Sequence, residues 1–282
     1  MRLLTWNIQW GLGVDGRVDL GRIAAEIRRL GDPDIICLQE VTAGFRELRD
    51  NDGEDQFAVI AGAFPQHRAI AAPVVDFAAP DGGRKQFGNM ILSRYAVGPV
   101  ERHRLPWTTL PGHECMPRGL VMATVTTPAG PVRIMTTHIE WSAVALREPQ
   151  VDAIRNLHQE ACRRIAIPAA TGKAGYAPQP ATVSAVLVGD FNMRPEEPTR
   201  ARLMAPFEAH YTPRLVDAFE TLHPAAAHPH SMCLFDQTEE PARCLDYIFC
   251  TEDLSPSLAS VAYDQSSRAS DHQPGVVEFN DR

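Results

Sequence analysis

The segment Ala185-Val186-Leu187-Val188-Gly189-Asp190-Phe191-Asn192 passes from an apolar run into two polar side chains separated by one phenylalanine. In an extended chain successive side chains point to opposite faces, so Asp190 and Asn192 share a face while Phe191 points into the protein. Groups at the end of a strand reach a ligand without disrupting a core. The segment therefore predicts a buried strand that presents a carboxylate and an amide to a site.

Other segments place polar side chains beside predicted strands in the same way. Asn7 closes the first apolar run, and Glu40 follows the run at 34–38. The complete set, in chain order, is Trp6-Asn7, Leu38-Gln39-Glu40, Thr137-His138, Gly189-Asp190-Phe191-Asn192, Leu245-Asp246-Tyr247-Ile248 and Ser270-Asp271-His272. Carboxylates, amides and imidazoles gathered at strand ends predict a hydrolytic metal site.

In that order the segments resemble the motifs of the endonuclease/exonuclease/phosphatase superfamily, the deoxyribonuclease-I-like phosphohydrolases. Each segment alone is a weak signal, but patterns that occur by chance have no reason to fall in one order over 282 residues. The resemblance implies an α/β fold, a four-layer sandwich in which two packed mixed β-sheets are flanked by helices. It also implies that residues 1–282 form a single catalytic domain.

The composition is that of an ordinary soluble globular protein, with 44% hydrophobic and 22% charged residues. There are 27 basic and 35 acidic residues, and the net charge of −8 gives no general attraction to nucleic acid or to an anionic membrane. No apolar run approaches the roughly 18 residues of a membrane span, and the N-terminus has no signal-peptide pattern. We therefore expect a cytoplasmic protein with six reduced cysteines, no stable membrane association and no protein partner.

Hydrophobic periodicity predicts alternating strands and helices. A helix capped by Asp19 should place Ile23, Ile27 and Leu30 on one face and end at the following glycine. Residues 76–87 have the composition of a loop. The remaining predictions are strands at 34–38, 88–93, 183–189, 245–250, 257–263 and 275–279, a hairpin of strands at 119–126 and 132–139, a helix at 147–165, and a loop at 168–180.

Glu40 and Asp271 are the first candidates for metal ligands, with Asn7 beside Glu40. Asp190 or Asn192 would complete the shell, directly or through water. Oxygen ligands suit a hard cation that keeps several waters, so the sequence favours Mg²⁺ or Mn²⁺ over Zn²⁺. Whether one or two cations bind is left open.

The resemblance implies that Asp190 orients or deprotonates the attacking water and that Asn192 donates to a phosphate oxygen. It implies that His272 is either a phosphate-binding cation or a general base, and both roles stay open. Asp246 stands inside an otherwise apolar run, where a carboxylate is costly unless it is paired. We therefore predict that Asp246 fixes the tautomer of His272.

His138 stands where members of the superfamily carry a second histidine, which implies contact with the scissile phosphate or the leaving oxygen. Glu140 would lie on the same face and orient His138 if the strand continues; an exposed charge is the alternative. Arg118 is predicted to bind substrate because a guanidinium binds phosphoryl oxygens in a bidentate manner, although a surface arginine fits equally well. Arg84, Lys85, Trp107 and Trp141 are also candidates for contact with substrate, although a solvated loop or core packing fits each of them better.

Together these residues predict a divalent-metal-dependent phosphohydrolase that cleaves phosphodiester bonds by attack of water. A phosphomonoesterase of the inositol polyphosphate phosphatase type is the alternative. That class carries Trp before its Gly-Asp pair and a Pro-Ala-Trp-Cys-Asp-Arg pattern, whereas this chain has Val188 before Gly189 and Arg243-Cys244-Leu245-Asp246-Tyr247. A non-catalytic binding protein on the same fold is a further alternative, and the intact polar set argues against it.

The substrate is expected to be a phosphoester, with nucleic acid among the candidates. Specificity in such a fold lies in loops such as 76–87, 105–117 and 168–180. Because the net charge is −8 and no stretch gathers lysine and arginine, we expect weak affinity for duplex DNA and better use of small or single-stranded phosphodiesters.

Overall fold

The computed structural model of the chain describes residues 1–80, 82–166, 179–235 and 241–280. The loop predicted at 168–180 lies outside the described residues except for Gln179 and Pro180. The strands are β1 (Arg2–Asn7), β2 (Ile35–Ala43), β3 (Arg68–Ala78), β4 (Arg84–Ser93), β5 (Ala96–Arg104), β6 (Gly119–Thr127), β7 (Gly130–His138), β8 (Ala185–Asp190), β9 (Leu215–Asp217), β10 (Asp246–Thr251), β11 (Leu258–Tyr263) and β12 (Gly275–Phe279). The helices are α1 (Leu20–Arg29), α2 (Gln56–Ala63), α3 (Val144–Ala166), α4 (Pro198–Met204) and α5 (Ala218–Leu222). None of the helices in the described ranges combines the length and apolar character needed to cross a bilayer.

The strands form two mixed sheets of six strands each. The first sheet has the order β11-β12-β1-β2-β4-β3, and the second has the order β5-β6-β7-β8-β10-β9. One pair in each sheet is parallel, β1 with β2 and β7 with β8, and the other neighbours are antiparallel. Because parallel neighbours end at the same edge, each sheet brings two strand ends together.

Side chains that alternate along the strands build three cores from the two sheets. Leu3 of β1 and Val188 of β8 belong to the core between the sheets. Their chain neighbours point the other way: Leu4 joins the core under α1, and Leu187 joins the core under α3. The resulting order of helix, sheet, sheet and helix confirms the predicted four-layer sandwich.

Helix α1 forms as its sequence predicts. The Asp19 carboxylate accepts a hydrogen bond of 2.9 Å from the backbone N–H of Arg22, which satisfies a donor that the first helical turn leaves open. Ile23 and Ile27 are buried, and Leu30 follows the last helical residue and packs against the same core. The helix predicted at 147–165 lies within α3.

The prediction of a loop at 76–87 is wrong. β3 continues to Ala78 and β4 begins at Arg84, so most of this stretch is a paired hairpin. Phe77 and Phe87 both pack edge to face on Phe45. This contact with a residue distant in sequence outweighs the loop-like composition.

Strand β2 does not end at Leu38 as predicted but continues to Ala43. Its register with β4 shifts between Leu38 and Val41, and Glu40 has a φ of 59°. The shift is a β-bulge, which leaves the extra residue out of the ladder and re-aims its side chain. Glu40 therefore reaches the edge of the sandwich from inside a strand.

Gly189, beside Asp190, is required by close backbone packing. Its φ is +139°, and a Cβ at this position would lie 1.9 Å from the backbone oxygen of Thr137 on β7. We expect Gly189→Ala to lower the free energy of unfolding by about 3 kcal/mol or more, in the range of severe backbone strain. Chemical denaturation of wild type and variant measures the loss.

Gly62 provides the matched control for this substitution. It lies in α2, and a Cβ there would meet nothing within 4 Å. Gly62→Ala should raise stability by about 0.5–1 kcal/mol, since alanine loses less backbone freedom in a helix. Equal effects of the two substitutions would contradict the packing argument for Gly189.

Candidate active site

The polar strand ends of the two sheets meet at one edge of the sandwich. In the second sheet, the strand register places Asp190 opposite both His138 and Asp246. In the first sheet, the parallel pair of β1 and β2 brings Asn7 and Glu40 to the same edge. Side chains that are far apart in sequence therefore surround Asp190.

Asp190 is almost fully buried, and several potential donors surround its carboxylate. Its Oδ2 accepts a hydrogen bond of 3.0 Å from Asn7 Nδ2 and lies 3.5 Å from His138 Nε2 and 3.7 Å from His272 Nε2. Its Oδ1 accepts 2.9 Å from the backbone N–H of Asn192. Burial opposes ionisation, but the two histidines, Asn7 and the Asn192 N–H together lower the pKa of Asp190. The site thus holds an ionised carboxylate out of water.

Glu40 and Asp271 are two further carboxylates of the site, and both have raised pKa values. Burial, and then the nearby charge of Asp271, raise the pKa of Glu40 to about 7. Burial also raises the pKa of Asp271, which accepts 2.8 Å from Gln9 Nε2. Among the described residues, the ion-pair partner within 4.0 Å of Glu40 is His138, at 3.8 Å. A divalent cation would relieve this repulsion, and both side chains offer the oxygen ligands that it prefers.

Asn7 connects carboxylates of the two sheets. Its Nδ2 donates to Glu40 Oε1 at 3.1 Å and to Asp190 Oδ2 at 3.0 Å, and its Oδ1 accepts 3.0 Å from the backbone N–H of Gln9. A flipped amide would point its oxygen at two carboxylates, which electrostatic repulsion disfavours. In this geometry the Asn7 oxygen accepts from the Gln9 N–H and its nitrogen faces the acids, and its role as a metal ligand stays a prediction.

His272 and Asp246 form a buried pair. The Asp246 Oδ2 atom lies 2.8 Å from His272 Nδ1 and accepts 2.7 Å from Ser231 Oγ. Burial raises the pKa of Asp246 to about 6. Burial disfavours a charged His272, yet the carboxylates of Asp246 and Asp190 raise its pKa well above the usual value. The pair directs a protonated His272 Nε2 toward Asp190.

His138 differs from His272 in charge. Burial, and then the positive Arg118, lower the pKa of His138 to about 3, so this imidazole is neutral near pH 7. Asn192 lies beside it in a strained conformation with a φ of 47°, and its Nδ2 donates 3.1 Å to the backbone oxygen of Ile139. The site therefore pairs one neutral and one charged imidazole around a single carboxylate.

Arg118 and Glu140 are both buried, which contradicts the alternatives of a surface arginine and an exposed glutamate. Arg118 Nε lies 3.9 Å from Glu140 Oε2. Glu140 Oε1 accepts 2.9 Å from the backbone N–H of Trp141 and 3.0 Å from that of Ser142. Glu140 thus shapes its own loop and faces Arg118, and its hydrogen bonds do not go to His138 as predicted.

The sequence patterns indicated no role for three residues of the site. Gln9 donates to Asp271, Ser231 donates to Asp246, and Ser270 Oγ donates 2.8 Å to the backbone oxygen of Asn7. Ser270 belongs to a recognised segment and Gln9 lies two positions after another, so their positions were a usable signal. Ser231 is a loop residue whose contact depends wholly on tertiary structure.

The sequence model of the Endonuclease/Exonuclease/phosphatase family matches residues 4–272. The chain belongs to this family. Its members are hydrolases that act on phosphoester bonds. A search of curated proteins found no match to the chain.

Solved structures of the family have the same fold. A family member from Beutenbergia cavernae is 23% identical with a TM-score of 0.65, and the match covers 98% of this chain and 70% of that one. TDP2 of D. rerio, complexed with single strand DNA product, is 18% identical with a TM-score of 0.63, covering 99% and 98%. A mannosyl-6-phosphatase from Bacteroides thetaiotaomicron is 17% identical with a TM-score of 0.64, covering 99% of each chain. At these identities the likeness shows the fold alone.

The buried pair of Asp246 and His272 should act as a unit in this hydrolase. We expect His272→Ala and Asp246→Asn each to lower turnover of a chromogenic phosphoester by about 10²-fold or more, because both remove a correctly oriented imidazole. The double variant should lose little beyond the worse single variant. Steady-state kinetics of the four proteins measure the coupling.

His210→Ala, which removes an exposed histidine, serves as the control and should keep wild-type turnover. Losses that multiply in the double variant would show that Asp246 and His272 act independently.

Proposed function

We propose that the chain, acting as a single catalytic domain over residues 1–282, is a divalent-metal-dependent phosphodiesterase that directs water at phosphorus. The observation that carries the proposal is the setting of Asp190. This carboxylate is kept ionised by donors while it lies beside Glu40 and Asp271, two acids whose pKa values are raised. Metal-assisted hydrolysis needs an ionised carboxylate that can accept a proton and further carboxylates that can hold a cation. Asp190 supplies the first, and Glu40 and Asp271 supply the others.

The metal-binding part of the proposal assigns Glu40 and Asp271 as ligands of Mg²⁺ or Mn²⁺. Their oxygens, burial and mutual repulsion fit a hard cation. When bound, the cation polarises phosphoryl oxygens and offsets the negative charge that develops on them. The Asp190, Asp246 and His272 group, whose possible ligand atoms lie within 4.8 Å of one another, fits less well, because the carboxylates raise the pKa of His272 and a protonated imidazole has no free lone pair for a metal.

The catalytic part assigns a role to each remaining side chain. Asp190 orients the attacking water and accepts its proton, and Asn7 and the Asn192 N–H hold its carboxylate in place. Neutral His138 donates a hydrogen bond to a phosphoryl or leaving oxygen. Protonated His272 and Arg118 stabilise negative charge in the transition state. The side-chain amide of Asn192 donates one N–H to the backbone oxygen of Ile139, and its second N–H donates to phosphate.

The substrate class is the finer part of the proposal. The fold is shared with TDP2, complexed with single strand DNA product, and with a mannosyl-6-phosphatase, so the fold does not distinguish diester from monoester chemistry. The departure of residues 188 and 243–247 from the inositol-phosphatase pattern favours a diester. The partner is then a phosphodiester, with nucleic acid as the leading candidate.

Metal dependence gives the first test. Chelation should abolish turnover of bis(p-nitrophenyl) phosphate, and Mg²⁺ or Mn²⁺ should restore it, with kcat/KM above that for p-nitrophenyl phosphate. Glu40→Gln removes one ligand charge and should raise the Mg²⁺ concentration for half-maximal turnover by about tenfold or more. Titration of activity with each metal measures the requirement.

Glu252→Gln is the matched control, since Glu252 is an exposed acid paired with Arg214 on the surface. It should leave the Mg²⁺ requirement unchanged. Full activity in chelator, or recovery with Zn²⁺ alone, would overturn the assigned metal, and faster monoester turnover would overturn the diester preference.

The role of Asp190 gives the second test. Asp190→Asn keeps the shape of the side chain but removes its basicity, so kcat for the diester should fall by about 10²-fold or more with a small change in KM. Asp152→Asn, a change at a surface acid paired with Arg202, should keep wild-type values. Near-normal kcat in Asp190→Asn would reject the mechanism.

A further inference from the structure

Two tryptophans stand exposed near the candidate active site. Trp107 is 42% exposed and Trp141 is 50% exposed, so core packing explains neither. Trp141 follows His138 by three positions, just after the end of β7. Indole rings left in water beside a polar site provide flat apolar faces that a ligand can cover.

A buried glutamine fixes the two tryptophan loops relative to each other. Gln150 Nε2 donates 2.9 Å to the backbone oxygen of Pro106, and its Oε1 accepts 2.9 Å from the backbone N–H of Glu140. Pro106 and Glu140 are the residues directly before Trp107 and Trp141. One side chain of α3 thus holds both loops, which lowers the entropy lost when a ligand binds between them.

Arg147 and Glu140 hold the second loop more firmly. Arg147 Nη1 donates 2.9 Å to the backbone oxygen of Trp141, and Glu140 accepts the N–H of the same residue. Both side chains are buried. The exposed indole of Trp141 therefore stands on a backbone that is fixed from two sides.

Arginines accompany the tryptophans. The Arg104 guanidinium lies 5.5 Å from the ring centroid of Trp107, and within the described ranges no carboxylate lies within 4.0 Å of it. Arg102, two positions earlier on β5, is likewise exposed and donates 2.8 Å to the backbone oxygen of Ala71. In a chain with a net charge of −8, arginines without acidic partners mark a place for an anionic ligand.

A cavity of about 210 Å³ lies beside these arginines. Arg102, Arg104 and Gly119 are among its lining residues. Gly119 is paired with His138 in the ladder of β6 and β7 and directly follows Arg118. The cavity lined by Arg102 and Arg104 therefore adjoins the strand position next to His138 in the second sheet.

We propose that Trp107 and Trp141 stack the bases of a single-stranded nucleic acid whose backbone passes Arg104 on its way to the catalytic centre. Exposed aromatic faces beside unpaired arginines are the combination that binds single strands, since bases in a duplex are already stacked on each other. The inference rests on the proposed phosphodiesterase function and names the substrate of that same site. A sugar phosphate would also use aromatic faces, but it would not need a row of cationic groups.

Binding is tested with two probes of equal charge. Fluorescence anisotropy in chelator, where the proposed hydrolysis is suppressed, compares a fluorescein-labelled octathymidylate with an abasic deoxyribose phosphate octamer. Wild type should bind the octathymidylate about fivefold to 100-fold more tightly, as expected for one or two stacked bases. Trp107→Ala and Trp141→Ala should each reduce this ratio, and Trp141→Phe should preserve most of it because a ring remains.

Two further variants separate stacking from charge. Arg104→Gln should weaken both probes, with a smaller change in their ratio. Val59→Ala alters an exposed apolar residue of α2 and should change neither affinity nor ratio. Thermal melting followed by circular dichroism checks that each variant folds.

Equal affinity of wild type for the two octamers, or an unchanged ratio in both alanine variants, would overturn base stacking and would indicate contact with sugar or phosphate alone. Absence of binding to either octamer would overturn the nucleic acid assignment. A protein that prefers octathymidylate but does not hydrolyse a small diester in Mg²⁺ or Mn²⁺ would instead reject the proposed phosphodiesterase activity and leave the stacking site standing.

Discussion

The amide of Asn7 is the contact on which the arrangement at this edge depends. It donates to Glu40 on its own sheet and to Asp190 on the other sheet, and so holds together two carboxylates that would otherwise repel. Both donations require the ends of β1 and β8 to lie at one height across the interface between the sheets. The core between the sheets, with Leu3 and Val188 among its members, sets that height. The packing between the sheets places the Asn7 amide, and this amide offsets the repulsion between Glu40 and Asp190.

The sequence predicts the parts of the fold and site that depend on local pattern. Apolar runs followed by polar residues located β1 and β8. The carboxylate of Asp246 within the apolar run of β10 indicated its pairing with His272. The hairpin of β3 and β4, the bulge at Glu40 and the donation from Ser231 to Asp246 could not be predicted, because each depends on a partner distant in sequence. For Asn7, the sequence pattern predicts the position at the end of β1. It does not predict the direction of the side-chain amide, which depends on two acids on different strands.

Backbone strain is concentrated around the site. Gln9, Trp10, Glu40 and Asn192 all adopt positive φ, which is unfavourable for residues with a Cβ. Hydrogen bonds to neighbouring side chains hold two of them: Asn7 Oδ1 accepts from the Gln9 N–H, and Asp190 Oδ1 accepts from the Asn192 N–H. Strain of this kind persists where surrounding contacts outweigh its cost, commonly about 1–3 kcal/mol per residue. The same contacts fix the side chains that the proposed chemistry needs, so rigidity and strain at this edge have one origin.

The bulge in β2 also has an evolutionary consequence. Below it, residues 35–38 pair with β4 in one register, and above it residues 41–43 pair in another. The extra residue uncouples these two ladders, so an insertion or deletion in the upper part of the hairpin need not alter the register beneath Glu40. Relatives could thus lengthen or trim the wall beside the site while the carboxylate keeps its place. Because of the bulge, the length of the wall that contacts substrate can vary while the catalytic groups keep their positions.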